Sequence, residues 1–298
     1  MCAIGEQAAL LQREWQTNPR WTGITRDYSA HDVIRLRLGV ARERDAARRD
    51  ASRLWDLLRT KGAVPAISPA ADQAPLVTDA EADLDGLPDA FELMTAMIEA
   101  GAAGVRFDDR LSPPTEAGHR AGKALVPTGQ LIGTLTAARF AADVLGVPTL
   151  IIARTGAHTT SLLTSAADER DHEFLTGERT VDGFHRMRPG LYACVTRSLA
   201  FAPYADLLWL DTPAPDLGAA RAFADIIRSQ HPDKPLAYSC PSPLAGQEHP
   251  GETSVARFQR ELAAMGYRFP PATGHPAAPE SSSAPAGRPA RDDAPAYA

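Results

Sequence analysis

Residues 137–155 read AARFAADVLGVPTLIIART, and this stretch decides the fold. An Ala-rich apolar segment near 129–145 has helical spacing, and Gly146 followed by Pro148 predicts where that helix stops. Thr128 is placed to cap its start. TLIIART (149–155) then runs almost continuously apolar, the mark of a strand buried on both faces, and ends in Arg154. The same order recurs along the chain. Strand-like runs are PLVTD (75–79), GVRFDD (104–109), DLLWLD (206–211) and PLAYSC (235–240). Helical segments near 88–100, 191–201, 214–229 and 252–265 alternate with them, the last ended by Gly266. Such alternation predicts a parallel sheet covered by helices. Polar residues collect at the C-terminal ends of the strands: Asp79, Asp108, Arg154, Asp211 and Ser239. In a β/α barrel that is the face where chemistry sits, so the pattern predicts an α/β barrel or a barrel-like enzyme core.

Working outward, residues 6–16 predict a short helix with Leu10, Leu11 and Trp15 on one side. Ser29-Ala-His-Asp32 resembles a capping box opening a long helix over 30–59. Val33, Leu36, Val40, Leu54, Leu57 and Leu58 form its apolar stripe, and its many arginines are expected to be a solvated face. Residues 61–75, KGAVPAISPAADQAP, read as a linker between this N-terminal helical segment (1–60) and the core (76–269). From 270 the chain is Pro- and Ala-rich with almost no large apolar residue, a composition expected to stay disordered. The N-terminus has no basic stretch followed by an apolar run, so no signal peptide is expected.

The 298 residues are 44% hydrophobic, ample for a core, and carry a net charge of −6. That charge argues against a nucleic-acid or anionic-membrane partner. Aromatic residues make up 6%, too few for base-stacking platforms. Cys2, Cys194 and Cys240 lie far apart with no zinc spacing, and this sparse count fits a reducing, cytoplasmic setting. Cys194 and Cys240 are expected to be packed thiols. The run Glu81 to Glu92 approaches the spacing of an EF-hand loop, but it starts with Glu, carries Pro88 and follows a strand, which fits a strand-end acidic cluster better.

Several phrases in order resemble isocitrate lyases: WQTNPRWTGITRDYSAHDV (15–33), GHRAGKALVPT (118–128), the opening stretch 137–155, FLTGERTVDGFHR (174–186), YADLLWLDTPAPDL (204–217), LAYSC (236–240) and FQRELAAMGYRF (258–269). The resemblance covers roughly 14–60 and 76–269. It implies a β/α barrel lyase that cleaves isocitrate to glyoxylate and succinate with Mg²⁺. A cysteine in a Lys-Lys-Cys-Gly-His loop supplies acid–base catalysis in that family. Counted without gaps from Asp108, the loop falls on Thr115, Glu116, Ala117, Gly118 and His119, which puts an alanine where the thiol belongs. Glu116 and His119 are the remaining candidates for an acid or base.

The resemblance further implies metal-binding roles for Asp79 and Glu81, with Asp108 standing for an outer glutamate. Arg154, Gly118, His119, Asp211 and Ser239 match positions that hold substrate, although Asp211 replaces a glutamate and Ser239 an asparagine. Gly156 replaces an aspartate. Arg154 is equally placed for an ion pair with Asp79, Asp108 or Asp211. Two family strands, one ending in a glyoxylate-binding phrase, have no counterpart before residue 76. Where the family has an eighth strand and long C-terminal helices, the chain runs into its Pro/Ala tail, which leaves a six-strand-like remnant. The expected fold is therefore an incomplete barrel with two open edges. The expected function is an isocitrate lyase-like protein that is catalytically impaired, with weakened Mg²⁺ binding and a small carboxylic acid as ligand. A lyase with altered chemistry on another 2-hydroxy or 2-oxo acid is one alternative. A non-catalytic companion of a full-length lyase, or a homo-oligomer, is the other.

Overall fold

The structure, a computed structural model, describes residues 2–37, 44–59, 77–80, 90–111, 123–240 and 252–269. Three N-terminal helices come first: α1 (Cys2–Thr17), α2 (Ala30–Arg37) and α3 (Asp45–Arg59). Strands and helices then alternate: β1 (Val77–Ala80), α4 (Ala90–Glu99), β2 (Gly104–Asp108), β3 (Arg110–Leu111), β4 (Ala124–Leu125), α5 (Thr128–Leu145), β5 (Leu150–Thr155) and β6 (Leu162–Leu163). After them come β7 (Leu175–Arg179), β8 (His185–Met187), α6 (Leu191–Phe201), β9 (Leu207–Asp211), α7 (Leu217–Gln230), β10 (Leu236–Ser239), α8 (Glu252–Ala264) and β11 (Tyr267–Phe269).

The main sheet has the order β1-β2-β5-β9-β10-β11, and every pairing is parallel. It is an open β/α barrel. The five expected strands are present. The sixth, β11, brings the sheet to the six strands expected of the incomplete barrel, although no strand-like run had been picked out there: Tyr267 pairs with Leu236 and is itself buried. A short apolar run after Gly266 carries too little periodicity to be read alone; its partner strand makes it a strand.

Strand pleating sorts the core into two layers. Val105, Phe107, Ile151, Ala153, Leu208, Leu210, Leu236 and Tyr238 point to one face and join the core under α4 to α7. Leu150, Ile152, Leu207, Trp209 and Ala237 point to the other, where Leu54 and Leu58 of α3 cover them. Helix α3 thus seals the lower half of the face that a closed barrel would hide inside. Gly104 gives it room, since a Cβ there would lie 3.1 Å from the Leu54 side chain. Leu54 is fully buried. Leu54→Ala is expected to lower unfolding free energy by about 2–5 kcal/mol, measured by urea denaturation; a loss under about 1 kcal/mol would mean α3 is not the seal.

The N-terminal segment departs from expectation in three ways. The predicted helix 30–59 is two helices, because their apolar faces pack in different places: Val33 and Ile34 of α2 against α1 and α5, and Ala47, Ala51, Leu54 and Leu58 of α3 on the sheet side. Leu10 and Leu36 are exposed, and Ala8, Leu11 and Ile34 fill the contact instead. The arginines are not simply a solvated face. Arg37 donates to the Asp143 carbonyl, Arg48 to the Gly146 carbonyl, and Arg44 reaches Glu99. Arg37 and Arg48 bring charge and hydrogen bonds to carbonyls at the C-terminal end of α5. The Ser29–Asp32 capping box forms as expected, and Gly146 ends α5 at φ 67°.

A second, five-stranded sheet, β3-β4-β6-β8-β7, had no strong signal in the sequence. Its strands are two to five residues long, too short to show a period. It is built from the segments that leave the C-terminal ends of β2 and β5. Among the described residues no helix is long and apolar enough to cross a membrane. Residues 61–75 and 270–298 lie outside the described residues.

Candidate functional site

Period-two alternation along adjacent parallel strands places Asp79, Asp108, Arg154, Asp211 and Ser239 on one face at one end of the sheet. Residue 79 is in register with 106, 108 with 154, and 239 with 211. The five residues expected from the strand ends are therefore neighbours. Glu81, Glu116, Ala117, Gly118 and His119 lie outside the described residues.

The charges interlock. Arg154 sits between two acids, 2.6 Å from Asp211 and 3.4 Å from Asp108. Of the partners open to it, it takes these two; Asp79 is bonded to Arg106 instead. Arg110 reaches Asp108 at 2.9 Å and Asp211 at 3.5 Å, and its backbone N–H also donates to Asp108. Ser239 donates to Asp211 at 2.7 Å and accepts from the Trp209 indole at 2.8 Å. Arg106 lies 4.8 Å from the centroid of the Trp209 ring. Among the described residues of this layer three guanidinium groups thus face three carboxylates, and their charges cancel.

Arg106, Arg110 and Trp209 were not singled out as site residues. Arg106 did carry a signal: it is a charge inside an apolar strand, two residues before Asp108 and so on the same face. Arg110 carried none, because it lies past the strand and arrives by a bend at Asp109.

That bend is held by a buried network. The Asp109 carboxylate accepts from the Thr155 hydroxyl, the Gly156 N–H and Arg197 Nε. Arg197, 1% exposed at its side chain, also bonds Asp171 at 2.6 Å and the Val126 carbonyl. Asp171 in turn accepts from the N–H and hydroxyl of Thr128. This corrects the expected Thr128 cap. Thr128 is the first residue of α5 and is itself held, while the free amides of that turn go to Asp171 and Asp168. Capping by distant carboxylates could not be read from local sequence. Cys194 and Cys240 are buried free thiols, and burial pushes the pKa of each up, as suits packed rather than reactive groups.

The Mg²⁺ that the resemblance implies would need carboxylate oxygens with free lone pairs converging on one point. Among the described residues no group of three or more His, Cys, Asp or Glu side chains is arranged to hold a metal ion. The reason is visible in the cluster: Asp79, Asp108 and Asp211 each give at least one oxygen to an arginine. As they stand, these residues do not fit a divalent cation.

An open parallel β/α barrel with a charged layer at its strand ends is an architecture that hosts many unrelated functions. The sequence comparisons are more specific. The model of the isocitrate lyase family matches residues 67–181 and 177–273. Isocitrate lyase of Mycobacterium tuberculosis (strain ATCC 25618 / H37Rv) is 38% identical, over 90% of this chain and 80% of its own length. That of Escherichia coli (strain K12) is 39% identical, over 89% and 79%. This chain belongs to the isocitrate lyase family. Both alignments run over 343 positions, more than the 298 residues present, so these relatives carry internal residues that this chain lacks. Similar solved structures include 2,3-dimethylmalate lyase (TM-score 0.47, 15% identity, 74% of this chain and 80% of that one). Oxaloacetate acetylhydrolase is another (TM-score 0.42, 18% identity, 78% of this chain and 60% of that one).

Proposed function

We propose that this chain is an isocitrate lyase-like protein that binds a small carboxylic acid at the strand ends and does not cleave isocitrate at the rate of an enzyme. The observation that carries this reading is the neutral Arg–Asp layer. Cleavage of a 2-hydroxy acid next to its carbinol carbon needs a base for the hydroxyl proton, positive charge to stabilise the alkoxide and then the departing carbanion, and an acid to protonate that carbon. The described cations are each bonded to an aspartate already, so little of their field is left for a developing charge. The resemblance places Ala117, which has no proton to give, at the acid's position.

Carboxylate binding draws support from Arg154. Its Nε is buried without a hydrogen-bond partner among the described residues, and a ligand carboxylate exchanging with Asp108 would satisfy it. The test is glyoxylate release from isocitrate by purified protein with Mg²⁺, followed by phenylhydrazone formation. No release above the blank is expected. Turnover near the common enzyme range, about 1–10³ s⁻¹, would sink the proposal. Turnover of another 2-hydroxy or 2-oxo acid under the same assay would favour a lyase with altered chemistry instead.

A further inference from the structure

Arg106 and Arg110 are unexpected in a place where the family resemblance implies a metal ion. Arg106 interrupts the apolar strand β2, is 12% exposed at its side chain, and is held by Asp79 and the Trp209 ring. Arg110 is 11% exposed and is chelated by Asp108 through its Nε and one terminal nitrogen. Its aliphatic stem fills the space above Gly156: a Cβ on that glycine would lie 1.9 Å from Arg110 Cδ. Gly156 is not among the glycines with positive φ, so the glycine is there for room and not for backbone freedom. The resemblance puts an aspartate at position 156. An aspartate side chain at 156 would collide with the Arg110 stem as it lies here.

We propose that Arg106 and Arg110 are resident cations of the strand-end site, occupying with their guanidinium groups the place of a divalent metal. Together they carry the same +2 charge as such an ion. They meet two of the acids to which the resemblance gives metal roles, Asp79 and Asp108, and also Asp211. A guanidinium does not deprotonate in a protein, so no accessible pH vacates the place. A divalent cation would have to compete with these guanidinium groups, because both are held by the same negative charge of Asp79, Asp108 and Asp211. Arg154 then balances the third aspartate, and the site holds itself together with no metal bound.

The inference concerns the same site as the proposed function, and it is tested by metal binding and not by turnover. Mn²⁺ serves as the probe, titrated into the full chain and followed by the loss of free-ion EPR signal. Wild-type protein is expected to show no saturable binding in the millimolar range. The double variant Arg106→Gln/Arg110→Gln is expected to bind Mn²⁺ about 10–100-fold more tightly than wild type, and Asp79→Asn added to it should remove the gain. Saturable wild-type binding that Asp79→Asn abolishes would overturn the inference, whether or not the double variant folds. A double variant with a wild-type circular dichroism spectrum and no gain in binding would overturn it as well. Glyoxylate release without Mn²⁺ binding would sink the proposed function and leave this inference standing; Mn²⁺ binding without release would do the reverse.

Discussion

Asp206→Ala is expected to lower the unfolding free energy by about 3–5 kcal/mol, the usual result of breaking a buried ion pair from one side. Asp206 lies just before β9, with no exposure at its side chain. Its carboxylate accepts from Arg139, from Arg20 and from the Ile151 N–H at 2.7 Å. Removing it strands two arginines that cannot lose their charge. Arg139 is 1% exposed, and Arg20 lies within 4.6 Å of the Trp21 ring and 4.1 Å of the Trp55 ring. The loss also frees an amide of the central strand β5. Urea denaturation of the variant measures it; a change below about 1 kcal/mol would mean the two arginines find other partners.

The same residue predicts a pH dependence. Burial alone would raise the Asp206 pKa, but Arg139 and Arg20 outweigh burial and hold it below the ordinary carboxylate range. A carboxyl lowered in the folded state adds stability that is complete above its unfolded pKa of about 3.9 and is lost as pH falls toward the folded value. Wild-type stability should therefore drop on acidification below about pH 4. Asp206→Asn should start lower at neutral pH and show a shallower acid slope. Equal slopes in the two proteins would show that other acids carry the effect.

Arg197→Met is the second large effect, also expected at about 3–5 kcal/mol. Methionine keeps most of the volume but leaves Asp109 and Asp171, both fully buried, without their cation. The damage should be shared between the bend after β2 and the start of α5, because Asp171 also holds Thr128. Adding Asp109→Asn to Arg197→Met should cost less than the two single losses combined, since one member of the broken pair is then neutral. Additive losses in denaturation would argue that Arg197 and Asp109 do not act as a pair. Because that bend delivers Arg110 to Gly156, Arg197 is a positioning residue for the strand-end site.

Much of the barrel was legible because its signals are local. Gly146 and Pro148 end α5, and the apolar run after them is β5. Asp79, Asp108, Arg154, Asp211 and Ser239 were legible as a set because alternation puts strand-end residues on one face whatever lies beside them. The N-terminal helices were less legible. A run of arginines looks solvated until the carbonyls it serves, on Asp143 and Gly146, are brought beside it from a hundred residues away in sequence. The small sheet was not legible at all, since strands as short as Arg110–Leu111 and Leu162–Leu163 exist only through their partners.

The sequence by itself determined the family, the alternation of strand and helix, and which side chains stand at the C-terminal end of the sheet. Those follow from residue order and short-range periodicity. Only the tertiary structure decided which charge meets which: that Arg106 takes Asp79, that Arg110 and Arg154 share Asp108 and Asp211, and that α3 covers the lower half of the open face. Lateral register and the bend at Asp109 set those pairings. They join residues far apart in the chain, so no local pattern encodes them. Charges within a few ångströms interact strongly enough in a partly buried layer to determine what the site can bind.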